Sequence, residues 1–181
     1  MEVLEKVKED FIRQAGYVPR AIILFAILIP VYLFFAENNK VQIKEKIKDI
    51  LKKYKVILFL FWLAFLMMST IFSRMYEVPY RVVLDGFGFK TANGWNTDSF
   101  ENIVLFIPYT FHYLWAFHPQ KPWKAALKLS VLSSVTIELL QLIFWLGAFQ
   151  LCDILYNTEG GIFGCGLWYL VKWIKSKCAK K

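Results

Sequence analysis

Five polar side chains inside long apolar segments are the residues of this sequence best suited to chemistry. They are Asn102, Glu138, Gln141, Asp153 and Asn157. A carboxylate in the middle of a bilayer costs about a few kcal/mol on insertion scales, so it should face a partner or a wet cavity. We predict that these residues gather into a polar binding site. In a rival interpretation, burial raises the pKa of Glu138 or Asp153 and one of them acts as a general base.

The first polar stripe lies between residues 130 and 145. Ser130, Ser134, Glu138, Gln141 and Trp145 follow one another at intervals of four, four, three and four residues. This spacing places all five on one face of a helix. The two serines are predicted to pack against a neighbouring helix.

A second stripe follows after a short connection and contains Asp153, Asn157, Gly160, Gly161 and Gly164. Small residues let the backbone of a neighbouring helix come close. Gly160 and Gly164 also form a GxxxG pattern, which we interpret as packing within the chain in preference to dimerisation.

A turn near Gly147 and Ala148 would make the two stripes an antiparallel hairpin. Counting about 1.5 Å per residue from that turn puts Glu138 level with Asn157 and Gln141 level with Asp153. The cluster would then lie about 8 to 15 Å beneath the outer surface. An alternative remains open at this point: polar residues of a helical hairpin often only hydrogen-bond one helix to another, for about 0.6 to 2 kcal/mol each.

The composition indicates that these elements lie in lipid. Hydrophobic residues make up 57% of the 181 residues and aromatic residues 18%, and the mean hydropathy is +0.43. A soluble domain of this size has too small an interior for so much apolar surface. We predict an all-α polytopic membrane bundle with amphipathic surface helices and about five spans, at residues 17–36, 56–73, 102–118, 125–147 and 149–171. Pro108 lies inside the third span, where we assign it to helix packing.

Charge sets the predicted orientation and the limits of the domain. Residues 1–20 are predicted to be an amphipathic N-terminal segment, and residues 21–181 one transmembrane domain. Residues 37–55 hold seven lysines against three acids, which favours a basic surface helix over a solvated loop. By the positive-inside rule this segment is cytoplasmic, and the polar cluster faces outward in a multi-pass cell-membrane protein. If residues 21–36 are re-entrant, the number of spans falls to four.

Other functional classes receive little support. The net charge of +8 comes from lysines that flank apolar runs, a distribution typical of membrane contact and not of nucleic-acid binding. No nucleophile motif, phosphate loop, nucleotide fingerprint or metal-ligand spacing is present. We therefore expect no cofactor, no metal and no catalytic residue.

Three segments resemble the VanZ-like family of bacterial membrane proteins: ENIVLFIPY (101–109), SVTIELLQLIF (134–144) and GAFQLCDILYNTEGGIFG (147–164). The family pattern reads roughly N-x-x-x-F-x-P, then E-x-x-Q, then D-x-x-x-N-x-x-G-x-x-x-G. Its matching positions here are Asn102, Phe106, Pro108, Glu138, Gln141, Asp153, Asn157, Gly160 and Gly164. The chain departs from many members just before the Asp, where Gly147, Gln150 and Cys152 stand in place of charged residues.

The resemblance implies a bacterial plasma-membrane protein and a link to lowered susceptibility to the glycopeptide teicoplanin. We favour a non-enzymatic protein whose outward-facing polar pocket binds a lipoglycopeptide antibiotic, a lipid headgroup or a lipid-linked cell-wall precursor. The alternatives are an intramembrane enzyme acting on a lipid-linked substrate and a small proton-coupled transporter. Membrane lipids are the expected partners, and the oligomeric state stays open.

Overall fold

The computed structural model describes residues 16–23, 43–71, 82–83, 90–91, 94–95 and 97–178. Residues 18–23 are helical, and four long helices follow: α1 (Ile43–Thr70), α2 (Thr97–Phe117), α3 (Pro122–Ile143) and α4 (Leu151–Cys178). The all-α class is confirmed. Most of the N-terminal amphipathic segment and residues 24–36 of the first predicted span lie outside the described residues.

Helix α1 differs from the prediction of a surface helix followed by a separate span. Its 28 residues run without interruption from Ile43 to Thr70, so the basic segment leads directly into the apolar one. Between Lys52 and Val56 the sequence holds no glycine or proline, and lysine favours helix. The boundary inferred from the change in polarity is therefore not a boundary in the backbone.

The later helices begin and end near the predicted spans. Helix α2 begins five residues earlier than predicted, because Thr97–Glu101 already form its first turn. Helix α4 continues to Cys178, beyond the predicted end at residue 171. Among the described helices, α3 alone has the length and apolar composition of a membrane-crossing segment. The described residues therefore support the all-α class but do not establish five membrane crossings.

In the described parts of the connections between helices lie four two-residue strands. Strand β1 (Val82–Val83) pairs in parallel with β4 (Phe149–Gln150), and β2 (Lys90–Thr91) pairs antiparallel with β3 (Gly94–Trp95). Strand β4 comes directly before α4. The β1–β4 pair therefore ties the segment between α1 and α2 to the end of the α3–α4 hairpin.

The bundle packs polar residues inside and apolar residues outside along α3. Ser130, Ser134, Glu138 and Gln141 are buried, whereas large apolar side chains on the same helix are exposed, for example Ile143 at 63%. Exposed apolar side chains also line α4. Two apolar clusters lie between the helices. One contains Leu66, Leu105, Phe106, Tyr109 and Ile137, and the other contains Leu114, Ala126, Cys165 and Trp168.

Candidate functional site

The register between α3 and α4 is set by two contacts. The Nδ2 of Asn157 donates a hydrogen bond of 2.8 Å to the Oγ of Ser134. One turn further along, a Cβ added to Gly161 would overlap the Oγ of Ser130, so the glycine is what allows these helices to approach. In an antiparallel pair, a step of four residues along one helix matches a step of four back along the other. The same register therefore puts Glu138 level with Asp153.

This register lies one turn away from the predicted one. The spacing of the polar residues predicts Glu138 opposite Asn157, whereas the structure has Ser134 there. Helix α3 ends at Ile143, and Trp145 turns the chain with a φ of 60°. The hairpin is thus centred near Trp145 and Leu146, earlier than Gly147. Since α3 has already ended, Trp145 does not continue its polar stripe, and its side chain is exposed.

Helix α4 also approaches α2 through its glycines. A Cβ on Gly160 would meet the carbonyl of Ile103, and a Cβ on Gly164 would meet the carbonyl of Ile107. The two helices therefore run side by side in the same direction with almost no side chain between their backbones. Because Ile103 is level with Gly160, Asn102 lies within about one helical turn of Asn157 in height.

Glu138 reaches from α3 to the start of α4. Its Oε2 accepts a hydrogen bond of 2.7 Å from the backbone N–H of Gln150, and the residue is only 1% exposed. The N–H groups at a helix start have no partner within the helix and carry a partial positive charge. A carboxylate at this position is favoured by that charge, so Glu138 helps to fix the connection from β4 to α4.

Gln141 reaches from α3 to the end of α1. Its Nε2 donates a hydrogen bond of 2.8 Å to the backbone carbonyl of Thr70, the last residue of α1. Carbonyls in the last turn of a helix lack intrahelical partners. Gln141 satisfies one of them, and through Glu138 and Gln141 the polar face of α3 binds the start of α4 and the end of α1.

Asp153 lies in the first turn of α4 and is 6% exposed. The Sγ of Cys152 lies 3.7 Å from its Oδ1 and 3.8 Å from the Oε1 of Gln150. Both carboxylates thus lie at the same end of the hairpin, around the start of α4. The positive end of the α4 dipole favours negative charge there.

Three amide side chains of the cluster keep unused hydrogen-bonding atoms. The Nδ2 of Asn102, the Oε1 of Gln141 and the Oδ1 of Asn157 are buried without a hydrogen-bond partner in the described part of the chain. An unsatisfied buried polar atom costs about 1 to 3 kcal/mol, and most such atoms in proteins have a partner. The cluster therefore has spare capacity for one donated and two accepted hydrogen bonds.

Several contacts of the site had no signal in the sequence pattern. The acceptor for Gln141 is a backbone carbonyl and the donor to Glu138 is a backbone N–H. On α2, Thr110 lies 3.3 Å from the Oγ of Ser130. Pro108 lies inside α2, where its carbonyl oxygen is 2.7 Å from the Nδ1 of His112. In the part of the chain that the structure describes, no three His, Cys, Asp or Glu side chains gather as a metal site.

Comparison with known proteins gives one match. No curated protein and no solved structure matches the chain. The model of the family described as VanZ/LLP1 matches residues 21–172, a range that contains α1, α2 and α3, most of α4 and every residue of the polar cluster. Since this match covers most of the sequence, the chain belongs to the VanZ/LLP1 family.

Proposed function

We propose that this protein is a multi-pass membrane protein whose polar cluster binds the hydrogen-bonding head of an amphiphile at the outer surface, without catalysing a reaction. The family is associated with glycopeptide resistance. In this proposal the protein lowers susceptibility to glycopeptides such as teicoplanin by binding either the antibiotic or a lipid-linked component of the cell wall.

The distribution of polar and apolar side chains supports a membrane location. On α3 the four predicted polar residues are buried, while Leu132, Leu139 and Ile143 are between 43% and 63% exposed. Water would make such an outer surface costly, whereas lipid solvates it. We propose five crossings at the predicted spans in the bacterial plasma membrane, with the start of α4 toward the outside.

The spare hydrogen-bonding atoms of the cluster are the observation that carries the proposal. Two of them, the Oε1 of Gln141 and the Oδ1 of Asn157, are acceptors and need donors from elsewhere. An occupant with hydroxyl or amide N–H groups supplies such donors. Sugars and peptides both carry these groups, so a glycopeptide or a lipid-linked peptidyl sugar suits the cluster better than a plain phosphate, which chiefly accepts hydrogen bonds.

Conservative amide variants test the proposal in cells. Glu138→Gln and Asp153→Asn keep the size of each side chain and remove its charge. Wild-type protein expressed in a susceptible host should raise the inhibitory concentration of teicoplanin, and each variant should return it to the level of the empty vector. An epitope tag measures how much protein reaches the membrane.

Glu159→Gln is the matched control, because Glu159 is an exposed carboxylate on α4. It should protect as well as the wild type. If Glu138→Gln and Asp153→Asn fail to accumulate while Glu159→Gln accumulates, the cluster has a packing role and the proposal fails. Turnover of labelled wall-precursor lipid by purified wild type, lost in Glu138→Gln, would replace binding with catalysis.

A further inference from the structure

A second group of polar side chains gathers at the opposite end of the bundle from the polar cluster. The Nζ of Lys55 on α1 lies 3.4 Å from the Nε2 of His118, which follows the end of α2. Lys172 on α4 also lies near this histidine, because Trp168 contacts both. The Nζ of Lys172 is 5.0 Å from the centre of the Trp168 ring, and the His118 ring is 6.5 Å from it.

Each of these lysines is held by a tryptophan. Lys55 lies over Trp115 at 5.4 Å, and Lys172 lies over Trp168. A cation over an indole face is attracted to it by about 0.5 to 1 kcal/mol at exposed sites. The two ammonium groups are therefore oriented from two different helices toward the same turn of the chain.

No carboxylate of the described residues neutralises this group. The ion pair formed nearby on α1 joins Asp49 to Lys53 and leaves Lys55 out. Burial and the charges of Lys55 and Lys172 lower the pKa of His118. His118 also holds a φ of 44°, a conformation that is uncommon for residues other than glycine. Within the described segments, two convergent positive charges and a histidine thus lie together without a carboxylate as counter-ion.

We infer that Lys55, His118 and Lys172 bind the phosphate group of an anionic membrane lipid at the cytoplasmic surface. The inference does not depend on the function of the polar cluster. A lipid suits the site better than free phosphate because partly exposed aromatic side chains flank it: Phe117 precedes His118, and the ring of Tyr169 lies 5.0 Å from that of Trp168. Basic pockets between membrane helices on this side commonly take anionic headgroups.

Native mass spectrometry of the purified full-length protein tests this site with phosphatidylglycerol as the probe and phosphatidylcholine as the neutral comparison. Wild type should retain phosphatidylglycerol preferentially. Each lysine near an anionic headgroup contributes roughly fivefold to affinity, so Lys55→Gln combined with Lys172→Gln should weaken binding roughly 25-fold.

The chain offers a matched control for charge. Lys124 lies over Trp123 and Lys177 lies over Trp173, which repeats the lysine–tryptophan arrangement without a shared histidine. Lys124→Gln combined with Lys177→Gln removes the same charge and should leave binding within about twofold of wild type. Thermal unfolding of both double variants checks that each is folded.

Three results would overturn the inference. Equal losses of phosphatidylglycerol binding in the two double variants would show that surface charge in general, and not this site, attracts the lipid. Equal retention of phosphatidylcholine would show that the net charge of the lipid headgroup is not recognised. Displacement of the lipid by millimolar inorganic phosphate would assign the site to free phosphate instead of a lipid.

Discussion

Replacing single glycines of α4 by alanine should separate the energetic cost of a blocked helix–helix contact from the gain in helix propensity. A Cβ on Gly160 would lie 2.9 Å from the Cβ of Phe106 and would also meet the carbonyl of Ile103. Phe106 is fully buried, and a backbone carbonyl cannot rotate away, so α4 must move from α2. Overpacking of this kind costs about 1 to 3 kcal/mol. Gly160→Ala should therefore be less stable, by roughly that amount, than an alanine placed on the same helix where nothing lies in contact.

Gly166→Ala supplies the control on the same helix. A Cβ at Gly166 meets nothing within 4 Å, so the substitution only gains helix propensity, about 1 kcal/mol. Because both variants gain that propensity, they should differ by the overpacking cost alone, roughly 1 to 3 kcal/mol in free energy of unfolding, which corresponds to about 2 to 12 °C in the midpoint of thermal unfolding. Fluorescence-detected size exclusion after heating measures these midpoints in detergent.

One result would contradict the close packing of α4 against α2. If Gly160→Ala unfolds at the same temperature as Gly166→Ala, α4 does not approach α2 at the backbone distance described. The register that sets Asn102 and Asn157 at similar heights would then be wrong as well.

Two further predictions concern the polar contacts. A double-mutant cycle with Ser134→Ala and Asn157→Ala should give a coupling energy of about 0.6 kcal/mol and at most about 1.7 kcal/mol; unfolding that is additive within error would contradict the hydrogen bond. The pKa of His118 lies below its ordinary value of 6.5, through burial and two neighbouring lysines. Its contribution to stability is thus present above about pH 6.5 and is lost as the pH falls below it, because the unfolded chain takes up the proton more readily. His118→Gln should reduce this pH dependence, measured as the unfolding midpoint from about pH 7.5 to 5.

The burial of the polar stripes was predictable because it follows from helix geometry. Ser130, Ser134, Glu138 and Gln141 recur at the helical period, and all four are buried on α3. When two helices form a hairpin, the polar face of each helix is most readily buried against the other helix. The periodicity therefore located the residues of the cluster, although it could not identify their partners.

The register between the helices and the hydrogen-bond partners of the cluster depend on backbone features that the pattern of side chains does not show. The turn predicted at Gly147 lies too late in the sequence. The chain already turns at Trp145, which has a positive φ although the sequence there is apolar. The β1–β4 pair consists of two-residue strands far apart in sequence, too short to show alternation. The carbonyl of Thr70 became an acceptor because α1 ends there.

The most direct measurement of the polar cluster is an electron cryo-microscopy map of the protein in nanodiscs made with lipids of a bacterial plasma membrane, with and without added teicoplanin. We expect non-protein density whose polar end lies within hydrogen-bonding distance of the Oε1 of Gln141 and the Oδ1 of Asn157. A map in which these two atoms bond only to protein or water, in both samples, would contradict the proposal that the cluster is a binding site.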